Sequence, residues 1–164
     1  MILYHYAPKE NTISSEGLLS TSKSPKKLNC YSLRAGSQNR TEILAWLDST
    51  FEGRSKSISV LTEPIVCEGN DSVLKKITEN SELYSFELDD LLRDGIVEKI
   101  WCKEGSDSNG FNENFYPVTI DEIDTSPLAW NKCDSSKDLL FAVIRHYLLV
   151  LKDGVIPPKY LKKE

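Results

Sequence analysis

The sequence predicts an α+β domain. Three observations lead there. Short stretches alternate apolar and polar residues, three or four others repeat apolar residues at helical spacing, and no regular strand–helix–strand rhythm joins them. The 164 residues fit one domain, 1–164, with a core over 1–124 and a closing helix and tail over 125–164. No apolar run approaches the roughly 18 residues of a membrane span, so no membrane association is expected.

Taken in order, Leu3-Tyr4-His5-Tyr6 reads as a first strand; it lacks the basic, apolar and small-residue segments of a signal peptide. Pro8 opens a helical stretch through Glu16, and Gly17 stands where helices commonly stop in the left-handed conformation. Residues 20–37 read as a long loop with one extended piece around Tyr31. Asn39 or Ser37 can cap the next helix, in which Ile43, Leu44, Leu47 and Phe51 recur at helical spacing before Gly53.

Ile58, Val60 and Thr62 suit a strand ended by Pro64, and Asp71 can cap a helix carrying Val73, Leu74 and Ile77. Tyr84, Phe86 and Leu88 alternate with Ser85 and Glu87, the pattern of a half-buried strand. Asp89-Asp90-Leu91-Leu92 makes a helical turn closed by Gly95, and residues 96–102 resume a strand. Turn-formers fill 103–112, an expected exposed loop, before a strand over 113–123. Ser135 or Ser136 can cap a final helix whose stripe is Leu139, Leu140, Val143, Ile144, Tyr147 and Leu148, ended by Gly154.

The net charge of −5 is uneven: residues 70–124 hold 14 acidic against 5 basic side chains, while the flanking stretches are close to neutral or weakly basic. No basic face suits phosphate tracking, which disfavours nucleic acid as a partner. The acidic stretch is a solvated surface or a surface for a basic partner. Cysteines 30, 67, 102 and 133 lie 37, 35 and 31 residues apart, without the close pairs that aim zinc ligands at one point. With only His5 and His146 besides, no metal is expected; reduced thiols in a cytoplasmic setting are. Neither a G-x-G-x-x-G nor a G-x-x-x-x-G-K-[ST] pattern occurs among the eight glycines.

Two places combine order with chemistry. His5, at the end of the first strand, points into whatever cleft that strand borders. Glu113, where a loop meets a strand in Asn112-Glu113-Asn114-Phe115-Tyr116-Pro117-Val118, is held by the sheet yet open to a ligand. These stretches carry a resemblance. Leu3-Tyr4-His5, followed by Asn11, Ile13 and Gly17-Leu18, resembles the opening of the ADP-ribosyltransferase superfamily, especially its small bacterial histidine–tyrosine–glutamate branch. Residues 57–64 resemble the strand after that family's central helix, and residues 83–88 its next strand. Residues 113–123 resemble its closing segment: a glutamate, a short strand, a proline and an I-x-x-I ending.

The resemblance implies a split β-sheet core, NAD as substrate, and a macromolecular acceptor, a protein more than a nucleic acid, in a toxin- or effector-like setting inside a host. It implies that His5 holds a ribose of NAD, Tyr31 stacks on the nicotinamide, Arg34 meets the pyrophosphate, and Glu113 is the catalytic carboxylate at the 2′-hydroxyl. Tyr6-Ala7 stands where many relatives have Gly-Thr, so Tyr6 would build the adenosine side of the site differently. No Ser-Thr-Ser triplet appears, and Phe111 replaces the glutamate or glutamine of arginine-modifying members, which argues against arginine as acceptor. Glu122 and then Glu98 are alternative carboxylates. Two other classes compete: a non-enzymatic protein binding a basic partner through its acidic stretch, and a cysteine-dependent hydrolase using Cys102 with His5.

Overall fold

A computed structural model describes residues 1–9, 12–24, 31–66, 72–104, 114–127 and 146–164. It is an α+β arrangement in which every described strand pairing is antiparallel. Strand β1 (Ile2–Pro8) pairs with β4 (Ser81–Glu87), which pairs with β9 (Lys162–Lys163). A second sheet has the order β3 (Ser57–Val60), β7 (His146–Leu151), β5 (Val97–Glu104), β6 (Asn114–Val118). Strands β2 (Leu18–Leu19) and β8 (Val155–Ile156) form a small ribbon.

Among the described residues one backbone pair joins the two larger sheets. Tyr4 and Leu61 exchange both backbone hydrogen bonds, each 2.9 Å, on the edge of β1 opposite β4. The core fills the space these sheets enclose. Leu3 and Phe86, register partners, meet Ile58, Val60, Ile100, Tyr147, Leu149 and Leu151 there, with Leu88 and Leu91 of the helix α5 (Leu88–Arg93).

Strand β7 is buried on both faces. Tyr147, Leu149 and Leu151 face the main core, while Leu148 and Val150 pack with Phe51, Trp101 and Phe115 on the other side. A strand with two buried faces loses its alternation and reads as a continuous apolar run. That is why the expected final helix fails over Tyr147 and Leu148: 146–151 is a strand between β3 and β5. The rest of that expected helix, 135–145, lies outside the described residues. The C-terminal stretch is therefore no appendage, since residues 146–163 supply a strand to each of the three sheets.

The helices are short. The helix α1 (Ile13–Glu16) is a single turn, so the expected helix from Pro8 shrinks, and Pro8 closes β1 instead. The helix α2 (Ser32–Ala35) replaces the extended piece expected around Tyr31 and ends at Gly36 in the left-handed conformation. The helix α3 (Arg40–Thr50) matches expectation, and Asn39 is its cap: its side-chain oxygen accepts from the Glu42 N–H at 3.2 Å. Ile43 and Leu47 bury its inner face. The helix α4 (Ser72–Asn80) follows, its expected Asp71 cap falling outside the described residues. The strand expected over 113–123 stops at Val118, and a 3-10 turn, Ile120–Glu122, is capped reciprocally by Thr119 and Glu122. Thr62 lies past the end of β3.

Gly17 departs from its expected role. Its φ of 85° comes with a ψ of −173°, outside the left-handed helical region, and a Cβ there would sit 2.1 Å from the Ile156 carbonyl oxygen. The glycine exists so that the β2–β8 ribbon can press against the end of α1. Gly17→Ala is expected to cost about 3 kcal/mol, from positive-φ strain plus displacement of β8. Urea unfolding measures this; an unchanged midpoint would show that β8 does not rest on Gly17.

Candidate functional site

Past the Tyr4–Leu61 pair, β1 and β3 do not continue their ladder. The next step is made by a side chain. His5 Nδ1 lies 2.7 Å from the Ser59 carbonyl oxygen. A carbonyl only accepts, so Nδ1 carries the proton of this hydrogen bond. An imidazole standing where a backbone N–H would serve holds the two strands apart. A little further on, the phenol oxygen of Tyr6 accepts from the Ile65 N–H at 2.9 Å. Burial pushes the Tyr6 hydroxyl's pKa up, opposed by that hydrogen bond, so the phenol stays protonated near neutral pH.

The resulting opening is a cavity of about 170 Å³. Tyr4, His5 and Tyr6 of β1 form one wall, Ser59, Val60 and Leu61 another, and Ile65, Ile77 and His146 complete it. About 150 Å³ admits a benzene-sized ring, whereas a drug-sized ligand needs roughly 300 Å³ or more. The cavity therefore suits one ring-sized group of a larger molecule. None of its described lining residues is acidic.

Tyr31 and Arg34 lie elsewhere, together. The Tyr31 ring packs 6.3 Å from Trp46, and the Arg34 guanidinium stands 5.7 Å from the same indole. Between them and the sheet lies Arg54, only 6% exposed. Its guanidinium is 4.7 Å from the Phe115 ring, 5.5 Å from Trp46 and 5.9 Å from Tyr31, and Nη1 donates to Thr50 Oγ1 at 2.9 Å. Ring faces thus surround much of a buried charge. Phe51 stacks on Trp101 at 4.6 Å beside this cage.

The cavity and the cage share one face of the four-stranded sheet. Alternate residues of β7 point the same way, so His146 lies on the side of Leu148 and Val150. Lys103 of β5, 8% exposed, is the register partner of both His146 and Phe115. Two strand spacings, about 10 Å, separate the backbones at His146 and Phe115.

His5 and Tyr6 thus meet in one cavity, and Tyr31 and Arg34 meet in the Arg54 cage. Glu113 lies outside the described residues, immediately before β6. Of the alternative carboxylates, Glu122 accepts from the Thr119 N–H at 2.6 Å and closes its turn, while Glu98 borders a charged groove with Asp48, Glu52 and Lys99. Cys102 is in no disulfide; it is 1% exposed and packed in the main core. Its neighbour Tyr116 donates to Glu104 at 2.7 Å, and Cys102 first, then Glu104, raise the Tyr116 pKa. Among the described residues no group of three or more His, Cys, Asp or Glu is placed to hold a metal.

Sequence reasoning missed His146 and Arg54. His146 was assigned to a helix, and its only signal was scarcity, two histidines in the chain. Arg54, within Gly53-Arg54-Ser55-Lys56, has the look of a surface turn. Comparison with protein-family models, with curated proteins and with solved structures returned no match.

The His5 wedge can be tested by stability. His5→Phe keeps a ring but removes the donor; Ser59 is exposed, so water can take its carbonyl and the expected cost is about 0.5–1.5 kcal/mol. His5→Asn, whose amide can donate, is expected to recover part of it. If both variants unfold in urea at the wild-type midpoint, the hydrogen bond does not hold the opening.

Proposed function

We propose that the chain is an NAD-consuming ADP-ribosyltransferase acting on a macromolecular acceptor, a protein more than a nucleic acid. The observation that supports it is the cavity that His5 opens between β1 and β3. The sequence resemblance implies a split sheet with a ribose-binding histidine on the first strand, and His5 stands at such an opening.

In this reading the cavity takes one ring of the dinucleotide, either nicotinamide or a ribose. His5, its Nδ1 held by the Ser59 carbonyl, stands in the wall that a ribose would meet. Tyr4 and Tyr6 provide the aromatic wall and the protonated Tyr6 phenol a polar point on it. The rest of the dinucleotide is longer than the cavity and would run along the sheet face that leads to Tyr31 and Arg34, where a guanidinium suits a pyrophosphate.

Cleavage of the bond between ribose and nicotinamide builds positive charge on the sugar. A fixed carboxylate interacts more strongly with that charge as it develops than with the ground state, which lowers the barrier. Glycosidases stabilise a similar transition state with carboxylates. The described cavity residues supply none, so that role is assigned to Glu113, carried over from the resemblance.

Millimolar NAD is expected to raise the thermal unfolding midpoint, since a ligand bound only to the native state stabilises it by about 2.7 kcal/mol at a hundred times its Kd. Glu113→Ala should retain that shift and the wild-type fold while losing nicotinamide release. If NAD leaves the midpoint in place, the transferase reading is wrong. If Glu113→Ala turns over like wild type, the carboxylate lies elsewhere.

A further inference from the structure

The walls of the cavity are not all held alike. Strand β1 is paired along all seven of its residues to β4, and β3 along all four of its residues to β7. Ile77 stands on the helix α4. The wall that carries Ile65 is different. After Leu61, whose backbone pairs with Tyr4, residues 62–66 belong to no helix or strand. Pro64 has no N–H to give. The Ile65 N–H goes to the Tyr6 phenol oxygen, 2.9 Å away, and Glu63 is also engaged. Val66, at the end of this stretch, is 49% exposed.

The Tyr6–Ile65 hydrogen bond therefore joins two lining residues that come from different walls. We propose that residues 62–66 are a strap across the cavity and that the Tyr6 hydroxyl is its latch. With the bond made, the strap holds the cavity at the size of one ring. With it broken, the Ile65 N–H and the Tyr6 oxygen each turn to water, Leu61 stays hinged on Tyr4, and the opening widens.

The strength of the latch suits that role. Water replaces most of what such a bond contributes, so one neutral hydrogen bond shifts an equilibrium by about 2- to 10-fold. That is enough to favour the closed strap and little enough for a ligand to displace it. Lids are drawn from segments that open at low local cost, and an irregular stretch between a paired residue and one side-chain bond is such a segment. That the ligand is NAD rests on the transferase reading. In that reading one ring enters under the strap and the rest of the dinucleotide stays outside it.

Tyr6→Phe keeps the ring in the wall and removes the latch oxygen. In the ligand-free protein, amide hydrogen exchange at Ile65 is expected to quicken about 2- to 10-fold, while the Leu61 and Tyr4 amides keep their rates. NAD association, followed by stopped flow, should quicken by the same factor, which a bond that only braced the wall would not produce. Unchanged Ile65 exchange in Tyr6→Phe, or Ile65 and Leu61 quickening together, overturns the strap. Faster Ile65 exchange with an unchanged association rate also overturns it, and leaves the transferase reading standing. If wild type binds no NAD, the transferase reading falls, and phenol, a ring that the cavity's volume admits, takes the place of NAD. Faster phenol entry in Tyr6→Phe then supports the strap; an unchanged rate, or no binding, overturns it.

Discussion

The hydrogen bond from His5 Nδ1 to the Ser59 carbonyl sits where a backbone ladder would otherwise close. On one side of it, Tyr4 and Leu61 tie β1 to β3 with paired backbone bonds; on the other, Tyr6 reaches to Ile65 with its phenol instead. Without an N–H for Ser59, the exposed edge of β3 would turn that carbonyl to water. Closing the ladder would satisfy that carbonyl but would fill the space that the side chains now line. One imidazole lets the strands separate while it serves that carbonyl.

That opening is stable because the rest of the chain is committed around it. Strand β7 fixes the position of β3 from the far side and is buried on both faces, so a slip by one residue would swap Tyr147, Leu149 and Leu151 with Leu148 and Val150 between two differently packed clusters. The Arg54 cage fastens α2 and α3 to the same sheet through Phe115, Trp46 and Phe51. Some carboxylates are paired within the molecule: Glu52 with Lys99, Glu82 with Lys163, and Asp90 and Asp94 with Arg93.

Elements whose apolar residues keep the spacing of their own structure were legible in the sequence. The strand through Tyr84 and Phe86, the helix through Ile43 and Leu47 with its Asn39 cap, and the turn from Asp89 to Gly95 all show the period of their own structure. Strand β7 was not, because burial of both faces erases its alternation and leaves an apolar run that a helical period also fits. The site was half legible. His5 stood out because a scarce histidine lies on a first strand. His146 was obscured by the misread β7, and Arg54 is recognisable only once Tyr31, Trp46 and Phe115 converge on it from three separate elements.

The central claim is that His5 and His146 face one ligand cavity. Because they are the chain's only histidines, their imidazole carbon-bound protons give two assignable NMR signals. Titration with NAD should move both signals along a single saturation curve, and His5→Asn should weaken the response of the His146 signal. Two unmoved signals, or two that move at different NAD concentrations, would contradict the account.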